Sequence, residues 1–108
     1  MAEIKLTYED NAKSVEAQVG DLIIIELGET PTTGYGWAVE QVDEQFIALQ
    51  SSDFVPPSQN LIGDRGWRTF TFQAKKAGIT TIVLKLWRHW VGERSIINRF
   101  NLTLQIRE

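Results

Sequence analysis

The chain has 108 residues, 43% of them hydrophobic and 23% charged, with a net charge of −3. That suffices for one domain with a core of its own, and it excludes a disordered, fibrous or strongly basic nucleic-acid-binding chain. With no cysteine and a single histidine, His89, the sequence also excludes disulfide frameworks, zinc fingers, iron–sulfur centres and thiol nucleophiles.

The N-terminus, Met1-Ala2-Glu3-Ile4-Lys5, lacks the basic-then-apolar pattern of a signal peptide. The expectation is a cytoplasmic protein or a trimmed secreted or periplasmic form. Residues 4–8 read as a short strand, and Gly20-Asp21 closes an early turn. Residues 21–27 are β-branched and nearly continuous, so this strand is expected mid-sheet and covered on both faces. Its run Leu22-Ile23-Ile24-Ile25 is the longest apolar stretch, far short of the ~18 residues a membrane helix needs, so no membrane partner is expected.

Residues 28–36 are rich in Gly, Thr and Pro and read as a loop. Residues 39–50 fit two turns of helix through Val39, Val42, Phe46 and Leu49, but their two ends read equally well as short strands. Strands are favoured because strands lie on both sides. Pro56 and Pro57 open a longer loop that runs to Gly63 and Gly66. Beyond it, Phe70, Phe72 and Ala74 share one face, as do Ile82, Leu84 and Leu86. Between those runs, Lys75-Lys76, the only adjacent basic pair, leads into the Ala77-Gly78 turn. Val91-Gly92-Glu93 turns the last hairpin. Phe100, Leu102, Leu104 and Ile106 then alternate with polar residues without exception.

About seven short strands at ~8–12-residue spacing predict an all-β, immunoglobulin-like antiparallel β-sandwich. Successive strands run up and down by turns. If residues 46–55 form one strand, the loops after 21–28, 46–55 and 79–88 emerge at one end. That end carries Thr30-Pro31-Thr32-Thr33-Gly34-Tyr35-Gly36-Trp37, then Gly63-Asp64-Arg65-Gly66-Trp67, then Trp87-Arg88-His89-Trp90. All four tryptophans lie in or beside these segments. Tryptophan and arginine are enriched at binding hot spots. Trp37 and Trp67 sit just inside strands, as core caps would, and Trp90 lies nearest a loop tip, as an exposed anchor would. Pro31 stiffens the first loop, and Gly34 and Gly36 allow positive φ on either side of Tyr35. A preorganised wedge and a plain turn both fit this pattern. Gly63 and Gly66 alone are equally a hairpin signal, and no strand–helix setting supports a phosphate loop.

Pro31-Thr32-Thr33-Gly34-Tyr35, then Gly63-Asp64-Arg65-Gly66, then Arg88-His89-Trp90 resembles the chagasin family of inhibitors of papain-like cysteine peptidases. The family pattern is Asn-Pro-Thr-Thr-Gly-Tyr/Phe, a Gly-x-x-Gly loop, and Arg-Pro-Trp/Phe. Order, spacing and length agree over essentially the whole chain. Thr30 stands where the family usually has Asn, and its hydroxyl can still make a local turn bond. His89 stands where the family usually has Pro, which removes a φ constraint and adds a titratable ring.

The resemblance implies one inhibitor domain over residues 1–108, acting as a monomer on enzymes such as papain or a cathepsin L-type peptidase. The loop from Thr30 to Tyr35 would enter the cleft, with Thr32 and Thr33 nearest the nucleophile. Gly63, Asp64, Arg65 and Gly66 would flank it on one side, and Arg88, His89 and Trp90 on the other. An adhesive or glycan-binding module using exposed tryptophans is the competing reading. A hydrolase built on His89 and Ser95 is disfavoured, because Arg88 beside the imidazole opposes the imidazolium a general base must form. Asp43, Glu44, Asp53 and Asp64 lack metal-ligand spacing, so no cofactor is expected.

Overall fold

Strict two-residue alternation puts a row of apolar side chains on one face of each strand, and two such faces bury each other. The computed structural model describes residues 2–56 and 65–108. Among these residues eight strands form: β1 (Glu3–Leu6), β2 (Lys13–Gln18), β3 (Leu22–Glu29), β4 (Gly36–Gln41), β5 (Ile47–Val55), β6 (Gly66–Ala74), β7 (Gly78–Trp87) and β8 (Asn98–Arg107). They make two four-stranded sheets, ordered β1-β3-β6-β5 and β2-β8-β7-β4. Ile23, Ile25, Leu27, Phe70 and Phe72 of one sheet face Ile82, Leu84, Phe100, Leu102 and Leu104 of the other across the core. No helix among the described residues is long and apolar enough to cross a membrane.

The all-β sandwich is as expected, and β5 is a single strand, so the loop parity holds. Residues 39–50 are strands joined by a turn at Asp43, whose carbonyl accepts from Phe46 N–H at 3.0 Å. The long strands pair antiparallel, whereas β1 joins β3 and β2 joins β8 in parallel.

Four expectations need correction. Strand β1 stops at Leu6, and Tyr8–Asp10 is a 3-10 turn. Thr7 Oγ1 accepts from Glu9 N–H, and Asp10 Oδ2 accepts from Thr7 N–H at 2.9 Å. Strand β2, which follows, is additional to the strands read from sequence; the chain enters it through Ala12 at φ 66 rather than through glycine or proline. Strand β3 lies inside its sheet but is not covered on both faces: Ile24 pairs with Thr71 on the outer face and Glu26 is exposed. Val91-Gly92-Glu93 does not turn the last hairpin by itself: Glu93–Ser95 is a 3-10 turn inside a longer connection, and β8 starts only at Asn98.

Asp21 closes the end of the sandwich away from these connections. It is buried, and its carboxylate accepts from Ala2 N–H and Gln18 N–H, both at 2.9 Å. Those two bonds hold its pKa below the ordinary carboxylate value. A depressed folded-state pKa contributes stability above the unfolded pKa, and that contribution is lost as pH falls through the folded one. Asp21→Asn therefore lowers stability at pH 7. The gap from wild type narrows below about pH 4, as urea unfolding at pH 7 and at pH 3 will show.

Candidate functional site

The β3–β4 and β7–β8 connections meet at one end of the sandwich, where β5 ends and β6 begins. The guanidinium of Arg88 donates to the Thr33 carbonyl, from Nη2 at 2.8 Å and from Nε at 3.2 Å. It also lies 4.3 Å from the centroid of the Tyr35 ring. The Trp90 ring covers Gly34 so closely that an added Cβ would sit 2.9 Å from its Cη2. Just before β6, Arg65 crosses Gly28, where a Cβ would lie 2.5 Å from its Cδ. The β2–β3, β4–β5 and β6–β7 turns meet at the other end, where Lys75 N–H donates to Phe46 O at 2.7 Å and Gly20 N–H to Ala74 O at 2.8 Å.

The first connection is a compact wedge. Pro31–Thr33 is a 3-10 turn, with Thr33 N–H on Thr30 O at 3.2 Å and Gly34 N–H on Pro31 O at 3.1 Å. Gly34 ends it with φ 79, a left-handed conformation that a side chain disfavours. The local bond expected of the Thr30 hydroxyl is not made; Thr33 makes the bonds instead. Thr33 Oγ1 donates to Thr30 O at 2.7 Å and accepts from Tyr35 N–H at 3.2 Å. Thr32 is left exposed at the tip. Gly36 does not adopt positive φ, so Gly34 alone supplies the left-handed residue of this loop.

The β7–β8 connection is knotted on Ser95. Arg88 N–H donates to Ser95 Oγ at 2.9 Å, and that hydroxyl lies 2.7 Å from Gly92 O and 3.0 Å from Arg88 O. Ser95 is buried and bonded inside the loop, the opposite of a free nucleophile. His89 is exposed, its ring edge-on to Trp90 at 5.1 Å. Trp90 is 63% exposed.

Beneath the wedge lies a buried carboxylate. Glu29, the last residue of β3, points inward and is 7% exposed. Arg68 forks onto it, with Nη2 to Oε2 at 3.0 Å and Nε to Oε1 at 3.3 Å. Oε1 also accepts from Trp37 N–H at 2.8 Å. Trp37 caps the core as expected and donates its indole N–H to Gly28 O at 3.0 Å, while Tyr8 packs 6.3 Å away, ring to ring. The two feet of the wedge are thus tied to each other and to β6.

The sequence profile of the chagasin family peptidase inhibitors matches residues 16–104. The chain belongs to the chagasin family of peptidase inhibitors. Chagasin of Trypanosoma cruzi is 30% identical over 106 residues, covering 94% of this chain and 96% of that protein. Among solved structures, the cysteine protease inhibitor EhICP2 from Entamoeba histolytica superposes with a TM-score of 0.87 at 27% identity, over 99% of this chain and 97% of that one. PbICP-C, solved in complex with falcipain-2, shares the fold with a TM-score of 0.69 at 14% identity, over 95% of this chain and 89% of that one.

As a chagasin-family chain it is an inhibitor and not an enzyme. No group of three or more His, Cys, Asp or Glu among the described residues could hold a metal. Of the residues marked out by sequence, Thr30, Pro31, Thr32, Thr33, Gly34, Tyr35, Arg65, Arg88, His89 and Trp90 lie at one end of the sandwich. Gly63 and Asp64 lie outside the described residues. Gly66 has a packing role: a Cβ there would meet Phe54 Cζ at 2.5 Å and Val55 O at 2.6 Å. Trp67 is not a core cap. It pairs with Gly28 on the outer face and is 41% exposed.

Glu29 and Arg68 were not singled out from sequence, yet the signal was there. Both occupy inward phases of their strands, Glu29 after Ile23, Ile25 and Leu27, and Arg68 before Phe70, Phe72 and Ala74. Opposite charges at two inward positions of paired strands announce a buried pair. Glu29→Ala would leave a half-buried guanidinium and the Trp37 N–H without their partner. We expect a loss of about 2–3 kcal/mol, below the usual cost of breaking a fully buried pair because Arg68 keeps some contact with water. Urea unfolding of the variant measures it.

Proposed function

We propose that this chain is a reversible, tight-binding inhibitor of papain-like cysteine peptidases. It acts as one domain and as a monomer, inserting residues 30–35 into the active-site cleft. Residues 63–66 flank the wedge on one side, and Arg88, His89 and Trp90 on the other. The observation that carries this reading is a wedge held from its flank, Arg88 on Thr33 and Trp90 on Gly34, with Arg65 lying over Gly28 in the strand that leads into it. Family membership supports it, and a relative of the same fold has been solved with falcipain-2 bound.

The chemistry suits the target. A papain-like site is a groove holding a thiolate–imidazolium pair. A wedge already fixed by its own hydrogen bonds fills such a groove with little ordering cost. The exposed Thr32 tip is the part that comes nearest the thiolate, and the half-uncovered Trp90 ring is the natural wall contact. An interface of this kind buries roughly 1,600 Å² in total.

Wild-type protein should inhibit papain and a cathepsin L-type peptidase competitively, with one inhibitor per enzyme. Trp90→Ala should weaken inhibition by about 2–4 kcal/mol, roughly 30- to 1,000-fold in Ki. Steady-state inhibition assays check both. A folded wild-type chain that leaves both enzymes active at micromolar concentration overturns the proposal.

A further inference from the structure

An inhibitor that presents a peptide to a peptidase must avoid becoming its substrate. We propose that Arg88 is the residue that keeps the wedge from being cut, by holding the Thr33–Gly34 peptide bond in a form the enzyme cannot attack. This rests on the reading in which residues 30–35 enter the cleft.

The Thr33–Gly34 amide is engaged at both ends within the protein. Its oxygen accepts the Arg88 fork at 2.8 and 3.2 Å, and its N–H donates to Pro31 O at 3.1 Å. The Arg88 fork is itself held against Tyr35 on one side, while its backbone N–H is anchored on Ser95. The Trp90 ring lies against Gly34, on the leaving-group side of the bond.

Cleavage needs each of those positions. The peptidase thiolate must add to the Thr33 carbonyl carbon, forming a C–S bond while the oxygen takes the negative charge. Donors of the enzyme must reach that oxygen as the charge develops. The imidazolium must then protonate the Gly34 nitrogen as the C–N bond breaks, leaving a thioester. Water hydrolyses the thioester to the Thr33 carboxylate and returns the thiolate. Here the guanidinium fills the volume around the oxygen that enzyme donors would need. The amide nitrogen sits inside a 3-10 turn, out of an in-cleft extended geometry. The charged head of Arg88 is turned inward onto the wedge.

The test incubates wild type, Arg88→Met and Arg88→Lys with catalytic papain, following residual activity and intact mass together. Met keeps the packing stem, and Lys keeps the charge without the fork. Circular dichroism melting confirms that each variant is folded, and Arg88→Lys carries the test if Arg88→Met does not fold. Wild type should inhibit and stay intact. With each variant in excess, at whatever affinity it retains, a single cut should appear between Thr33 and Gly34, and inhibition should fall in step with it. That cut should form roughly 10- to 100-fold faster than in wild type, as loss of one charge-assisted hydrogen bond allows. Folded variants that stay intact in excess over papain, or that are cut at other bonds, overturn the role of Arg88 and leave the inhibitor reading standing. Wild type that does not inhibit overturns that reading instead.

Discussion

A carboxylate inside a β-sandwich is costly unless every lone pair is answered, and Glu29 is the point on which this structure turns. Its oxygens take the Arg68 fork and the Trp37 N–H. Three strands from both sheets therefore end in one hydrogen-bonded knot, at the place where the core would otherwise open to water. The position of the knot matters more than its strength. Glu29 precedes the wedge and Trp37 follows it, so one side chain fixes the distance between the wedge's feet. The 3-10 turn, the left-handed Gly34 and the Arg88 fork then leave little freedom to the residues between them.

The same logic explains the traffic of charges at this end. Arg68 is turned inward to Glu29, and Arg88 is turned inward to a carbonyl and an aromatic face. Beside them the Thr32 tip and the aromatic rings of His89 and Trp90 face outward. A polar tip with an aromatic flank suits a narrow groove that already contains an ion pair. The absence of cysteine fits the same picture, since such a chain has no thiol to form a mixed disulfide with the nucleophile it blocks.

Much of this was legible in the sequence, for a physical reason. Strands with one wet face must alternate, and 100–107 alternates without exception, so β8 and its neighbours are readable residue by residue. Up-and-down parity then gathers the three unusual loops at one end. The reading of β3 failed in part, because four consecutive aliphatics hide the alternation; Ile24 and Glu26 mark its outer face. Strand β2 was illegible for a different reason. Its inward side chains are only Val15 and Ala17, and its entry turn uses Thr7, Asp10 and Ala12 in place of glycine or proline. At the site, residue types marked the wedge and the Arg88–Trp90 flank. Direction was invisible: nothing in Arg88-His89-Trp90 says that the arginine points back at its own chain.

A crystal structure of the protein bound to papain tests the central claim most directly. The account predicts residues 30–35 lying over the catalytic cysteine with Arg88 still on the Thr33 carbonyl and Trp90 against the cleft wall. A complex formed through the opposite end, around Asp43 and Lys75, or through the outer face of either sheet, would contradict it.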